Sequence, residues 1–227
     1  DKTVSVLDLE LSNGERKEYT EMMDRLKGLD QLNKDLRGEM SKKAKQQQLI
    51  ELEELARFCA EKKVSRVVSF VKKALEENDN RKVIIFSRWR VSQSLLEEEI
   101  SKLKIPYASL FGDDNAEKRQ EAIDKFQKQD NCRIFIGSTL AAGVGLTLTK
   151  GDTVIFNDFM WSPADHQQAT DRVHRIGQKN PVFIYYMKFM NTIEDQVWHV
   201  IGKKLQVVNE VLKDEDKEAD VANIEKI

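Results

Sequence analysis

The chain has 227 residues, one third of them charged, yet its formal net charge is only −2. That excludes a protein that coats nucleic acid through bulk positive charge, so contact with a polyanion has to come from local placement. No apolar run approaches the ~20 residues of a membrane span, no membrane partner is expected, and Cys59 and Cys132 read as reduced, buried thiols of an intracellular protein. A start at Asp1 reads as a fragment or a processed chain, so targeting segments could be missing.

Val4, Val6, Leu7, Leu9 and Leu11 suggest an opening strand with imperfect alternation. Ser12 with Glu15 three residues later forms a capping-box pattern, and a charge-rich helical stretch is expected to about residue 62, interrupted at Gly28 and Gly38. Lys42–Gln48 is either a solvated helix face or a patch facing DNA or a partner. Val67, Val68, Val71, Ala74 and Leu75 form a helical stripe. From residue 82 the pattern changes. Val83–Phe86, Tyr107–Phe111, Cys132–Ile136, Thr153–Phe156 and Val182–Tyr186 are short apolar runs, each fitting a strand covered on both faces. Amphipathic helices lie between most of them, for example Leu95–Leu103 and Ala116–Phe126. Alternating strand and helix predicts α/β architecture with a mainly parallel sheet. A closing helix is expected from about Thr192, with Asp195 completing a second capping box, to Leu212. The expected organisation is an N-terminal strand and helical segment (1–80), the α/β lobe (81–190), the closing helix (191–213) and an acidic tail (214–227).

Residues 168–178 carry the most chemistry. Arg172 and Arg175, three apart, would share one helix face with Gln168 a turn earlier, and Val173 and Ile176 would anchor the stripe. Permanently charged, planar guanidiniums suit the charge that spreads over a transferring γ-phosphoryl. Ser162 as N-cap with Pro163 at the first helical position would start that helix and fix where the arginines emerge. In an open α/β sheet, ligands collect at the carboxyl ends of the strands. Those ends carry Ser87 and Arg88, then Ser138 and Thr139 followed by Gly143 and Gly145, then Asn157 and Asp158. Hydroxyls and glycine backbone suit phosphate oxygens, although an ordinary tight turn accounts for Gly143 and Gly145 equally simply. Arg88 either holds a phosphate or pairs with a nearby acid. Asp171 either holds an arginine or is a surface acid. His166, His174 and His199 read as structural, and no spacing suits a metal.

Five segments in this order carry a resemblance: Val83–Trp89, Gly112 with Arg119, Ser138–Leu146, Trp161–Pro163 and Gln168–Gln178. Together they resemble the second, C-terminal RecA-like lobe of superfamily-two helicases, specifically the Swi/Snf-related DNA translocases. Gln178, where RNA-helicase relatives usually carry Arg, fits the double-strand DNA branch. Thr147, where most remodelers carry Asn, is similar to the HepA-related annealing helicases. Leu140–Ala142, Met160 and Ser162 depart from the common pattern.

The resemblance implies a three-layer α/β/α RecA-like lobe with flanking helices. It implies Arg172 and Arg175 as arginine fingers that reach ATP with Mg²⁺, held mainly by an N-terminal RecA-like lobe of the full-length protein. Gly143, Gly145 and Gln168 would help close that cleft, while Ser87, Arg88, Ser138 and Thr139 would grip the DNA backbone. Implied partners are double-stranded or forked DNA, the N-terminal lobe, and chromatin or repair proteins, in the nucleus if the source is eukaryotic. The chain itself carries neither the phosphate-binding Gly-x4-Gly-Lys loop nor an acidic Mg²⁺ box in strand context, so alone it is expected to be inactive. The alternatives are a non-catalytic DNA- or protein-binding module derived from such a lobe, and a nucleotide-sugar enzyme, which explains the sheet but not the arginines.

Overall fold

Burial on both faces decides which runs become strands. In the computed structural model, which describes residues 2–35, 42–139 and 146–201, six strands form one sheet: β1 (Lys2–Leu9), β2 (Val83–Ser87), β3 (Tyr107–Leu110), β4 (Ile134–Ser138), β5 (Thr153–Phe156) and β6 (Val182–Phe189). The order is β1-β6-β5-β2-β4-β3, and every pairing is parallel. Five helices flank it: α1 (Asn13–Asp35), α2 (Lys42–Glu77), α3 (Arg90–Ser101), α4 (Ala116–Lys128) and α5 (Pro163–Asp171). Residues 193–201 form a closing helical stretch. The expected RecA-like α/β/α lobe is present, with a wholly parallel sheet.

The side-chain period of two assigns the layers. Val83 and Ile85 of β2 face one side, where Val64, Val67, Val71 and Leu75 of α2 and Leu96 and Ile100 of α3 cover them. Ile84 and Phe86 face the other side, covered by Phe126 of α4, Ala169 of α5 and Ile193 and Val197. Burying each such large aliphatic or aromatic side chain contributes about 1.5–3 kcal/mol of transfer free energy.

The structure redraws several expected boundaries. β1 joins the main sheet as an edge strand, in register with β6 from Lys2↔Val182 to Leu9↔Phe189. That partner also extends β6 beyond Tyr186 to Phe189. β4 starts at Ile134 because the Cys132 N–H turns back to Gln129 O at 3.1 Å. Gly28 lies inside α1, where glycine costs about 1 kcal/mol relative to alanine without breaking the helix. α2 runs unbroken through the Val67–Leu75 stripe. Gly38, residues 202–212 of the closing helix and the acidic tail lie outside the described residues, as do the side chains of Lys42, Lys43 and Lys45. The Ser12 capping box forms: Ser12 N–H donates to Glu15 at 2.8 Å and Glu15 N–H to Ser12 Oγ at 3.4 Å. Arg66 at the same carboxylate holds Glu15 down at about 2.

β2 sits at the centre, with β4 on one side and β5 on the other. Connections leave it in both directions, so its carboxyl end is the switch point where such sheets bind ligands.

Candidate functional site

At that switch point Ser87 ends β2, in register with Ser138 of β4. Thr139 N–H donates to Ser87 O at 3.3 Å, and Asn157 N–H to Phe86 O at 2.9 Å. Three strand tips therefore bring Ser87, Arg88, Ser138, Thr139, Asn157 and Asp158 together. Their side chains are not alike in what they offer. The Ser87 hydroxyl, expected on a phosphate, is fully buried and bonds instead to Asp158 and Ser92. The strand's last side chain turns inward because α3 starts directly above it. Ser138 and Thr139 are also more than nine-tenths buried. Thr139 Oγ1 has no hydrogen-bond partner among the described residues.

Arg88 is half-buried and held at three points. Its N–H donates to Asp158 Oδ1 at 2.8 Å, its guanidinium pairs with Glu53 of α2 at 2.7 Å, and it stacks on the Trp89 ring at 4.4 Å. The acid pair left open by the sequence is thus formed, by a residue 35 positions away that no local pattern points to.

Beneath these tips lies a buried ionic hub. Lys63 of α2 is fully buried, and its ammonium donates to Asn157 O (2.7 Å), Met187 O (2.8 Å) and Glu194 Oε1 (2.5 Å). All three N–H donors are satisfied, which a buried ammonium requires. Glu194 Oε2 accepts from Phe189 N–H at 2.8 Å. Burial pushes the Glu194 carboxyl above its ordinary range, opposed by the ammonium beside it. α2, β5, β6 and the closing helix meet at one point, none of it visible in the periodicity.

The arginines emerge differently from the expectation. α5 starts where predicted, with Ser162 at the N-cap and Pro163 next, although the Ser162 hydroxyl makes no capping bond. It ends at Asp171, with Arg172 as its C-cap. Arg172 and Arg175 therefore do not share a helix face. The reason lies in competing backbone bonds. Leu148 N–H takes the Arg172 carbonyl at 2.9 Å, and Arg172 and Val173 N–H turn to carbonyls only three residues back, Ala169 O at 3.3 Å and Thr170 O at 2.9 Å. Gly177 then adopts φ +106°, a left-handed value open to glycine. Val173 is fully buried and anchors the turn as expected, but Ile176 is fully exposed. Gln168, Arg172 and Arg175 still line one open groove of about 760 Å³, with Asp165, Asp171, His174 and Ile176. Arg175 Nη1 donates to Thr147 Oγ1 at 3.4 Å. Gln178 clips the turn to the lobe by donating to Gly151 O at 2.6 Å.

His166 is structural. Its Nε2 lies 3.0 Å from the Met160 nitrogen and 3.1 Å from the Met160 carbonyl oxygen, and burial pushes its pKa down to about 4. Gly143 and Gly145 lie outside the described residues. No His, Cys, Asp or Glu cluster able to hold a metal occurs among the described residues.

A family model of the helicase conserved C-terminal domain matches residues 62–177. The chain belongs to this family. Its relatives identify the helicase lobe as Swi/Snf-related. It is 33% identical over 183 residues to the SWI/SNF-related matrix-associated actin-dependent regulator of chromatin subfamily A-like protein 1 of Drosophila melanogaster, covering 81% of this chain and 23% of that protein. It is 32% identical over 150 residues to the human DNA annealing helicase and endonuclease ZRANB3, covering 66% and 14%. The lobe thus spans less than a quarter of the length of either relative. Its fold matches the C-terminal part of the Fun30 ATPase domain, with TM-score 0.75 at 20% identity over 88% of each chain. It also matches the Sulfolobus solfataricus SWI2/SNF2 ATPase core solved with double-stranded DNA, with TM-score 0.73 at 23% identity, covering 100% of this chain and 48% of that one.

Proposed function

We propose that the chain is the C-terminal lobe of an ATP-dependent double-stranded DNA translocase, and that Arg172 and Arg175 act as its arginine fingers. The observation that carries this reading is the groove in which both arginines and Gln168 line an open surface, at the edge of a helicase lobe whose relatives are named as helicases. ATP with Mg²⁺, when bound, supplies the transferring γ-phosphoryl; an N-terminal lobe would hold most of it. Gln168 and the two guanidiniums fit as one wall, because planar donors without a proton to lose offer fixed positive charge. The 760 Å³ groove is open to solvent, consistent with a site completed from outside.

At the strand tips, Arg88, Ser138 and Thr139 would meet one DNA strand, the Thr139 hydroxyl having no hydrogen-bond partner among the described residues. Such contacts give sequence-tolerant, salt-dependent affinity, weak for this lobe alone given its net charge of −2. The Ser87 hydroxyl drops out as a direct contact, since it is buried. Forked DNA and chromatin or repair proteins are the partners proposed for the full-length protein, with action in the nucleus in a eukaryote. By itself the chain is proposed to be inactive, and DNA-stimulated ATP turnover by this chain alone would overturn that.

The deciding experiment is Arg172→Ala and Arg175→Ala in the full-length protein. Removing a finger should lower DNA-stimulated turnover by roughly 10³–10⁵. Near-normal turnover in both variants would end the finger assignment.

A further inference from the structure

Four oxygens lie in a row where β2 meets α3. Asp158 Oδ2 is 2.5 Å from Ser87 Oγ, Ser87 Oγ is 2.6 Å from Ser92 Oγ, and Ser92 Oγ is 2.9 Å from the Trp89 carbonyl. Three links need three protons, and the two hydroxyls supply only two. The Trp89 carbonyl can only accept, so the Ser92 proton points at it. The Ser87 proton must then point at Ser92. The proton between Ser87 and Asp158 has one remaining source, the carboxyl itself.

The surrounding bonds fit the same count. Arg88 N–H donates to the other carboxyl oxygen, Oδ1, at 2.8 Å, and Asn157 Nδ2 approaches the second lone pair of Ser87 Oγ at 3.4 Å. An ionised Asp158 would draw the Ser87 proton to itself and the Ser92 proton to Ser87. Ser92 Oγ and the Trp89 carbonyl would then face each other as two acceptors in the first turn of α3. The Lys63 ammonium favours the charged form from a distance, but none of its three hydrogen bonds goes to Asp158. The charged groups facing Asp158 are Lys63 from α2 and Glu194 from the closing helix. Lys63 is committed to Asn157 O, Met187 O and Glu194, and the Arg88 guanidinium is committed to Glu53.

We propose that Asp158 is a proton-holding, neutral carboxylic acid at neutral pH, and that in this form it positions Arg88 and the start of α3. Burial, which raises the affinity of this carboxyl for its proton, acts in the same direction. Asp158 becomes a positioning residue for DNA contact, acting through the Arg88 backbone. This second half rests on the reading of Arg88 as a DNA-backbone contact; the proton does not.

Asparagine reproduces the neutral acid, since its Nδ2 donates to Ser87 Oγ and its Oδ1 accepts from Arg88 N–H. Leucine has the size but neither bond. Infrared difference spectra of the unmodified chain against Asp158→Asn at neutral pH should show a protonated-carboxyl C=O band that the variant lacks. Absence of that band, with a carboxylate band lost instead, overturns the proton assignment. Binding of a fluorescein-labelled duplex of random sequence at low salt tests positioning. Asp158→Asn should bind within about twofold of the unmodified chain, and Asp158→Leu about tenfold more weakly, the effect of leaving a buried donor unpaired. Equal losses in Asn and Leu overturn the neutral-acid role, and no loss in Leu overturns positioning. If Asp158→Leu does not fold, the infrared comparison and the Asn variant still decide. Arg88→Ala separates the two readings: unchanged duplex binding in that variant removes the DNA role of Arg88 and leaves the infrared result standing.

Discussion

Two regions of the lobe, the strand-tip cluster and the turn after α5, are held in opposite ways. Around Arg88 the polar groups are buried, and side chain bonds to side chain: Ser87 to Ser92 and Asp158, Lys63 to Glu194. In the 172–178 turn it is the backbone path that is held: Leu148 N–H takes the Arg172 carbonyl, the Gln178 side-chain amide takes Gly151 O, and Val173 is the buried anchor. The second arrangement fixes the path of the chain while leaving Arg175 and His174 exposed toward a groove. The first fixes the side chains themselves. The contrast teaches that the strand-tip cluster serves chiefly as a foundation, while the turn presents groups to something outside.

That contrast breaks if stability and turnover respond together. Arg175→Ala in the full-length protein should lose roughly 10³–10⁵ in turnover while its urea midpoint stays within error of the parent. Lys63→Met should do the reverse kind of damage. It strands a buried carboxylate, and removing one partner of a buried pair costs about 3–5 kcal/mol. Chemical denaturation of the chain measures it, and adding Glu194→Gln should recover a good part of the loss. An unfolding midpoint unmoved by Lys63→Met would show that the hub is not a foundation.

His166 sharpens the comparison from beneath α5. Its ring is buried, and burial disfavours the charged form. Its folded pKa, about 4, lies below the ordinary histidine value of 6.5. A depressed folded pKa means that the unfolded chain binds the proton first. The stability is therefore full above pH 6.5 and is lost as pH falls toward 4, on the order of 2–3 kcal/mol over that window. His166→Gln should flatten this dependence between those limits. A slope identical in both proteins would assign the proton uptake elsewhere.

Gly151 anchors the 172–178 turn, since its carbonyl receives the Gln178 side-chain amide. A Cβ there would sit 2.3 Å from Ile84 Cδ1 and 3.0 Å from Ile84 Cγ1. Ile84 is fully buried, so its side chain has little room to yield. Gly151→Ala should therefore cost about 1–3 kcal/mol of overpacking, read as a lower denaturation midpoint.

What could be read from the sequence follows from range. The strands were legible because runs such as Val83–Phe86 bury both faces, a one-dimensional signal. The start of α5 was legible because Pro163 permits only the first turn. Its end was not, since the bond that takes the Arg172 carbonyl comes from Leu148, on another segment. Ser87 was read as a ligand contact for the same reason: the residues that turn it inward include Asp158, 71 positions away. Glu53 and the Lys63–Glu194 pair are long-range partners inside helices, where a charged residue looks like any solvated one. The family motifs located the groove, and backbone competition decided its shape.

The smallest effect belongs to Ile176. It is fully exposed beside the arginines, whereas a side chain that served the lobe's own core would be covered. Ile176→Ser removes almost no buried area within this chain, so its denaturation midpoint should shift by no more than about 0.5 kcal/mol equivalent. Val173→Ser, three residues earlier and fully buried, should destabilise clearly more in the same assay. If the two substitutions cost the same, the turn is packed as a unit and its exposed side is not set apart for an outside contact.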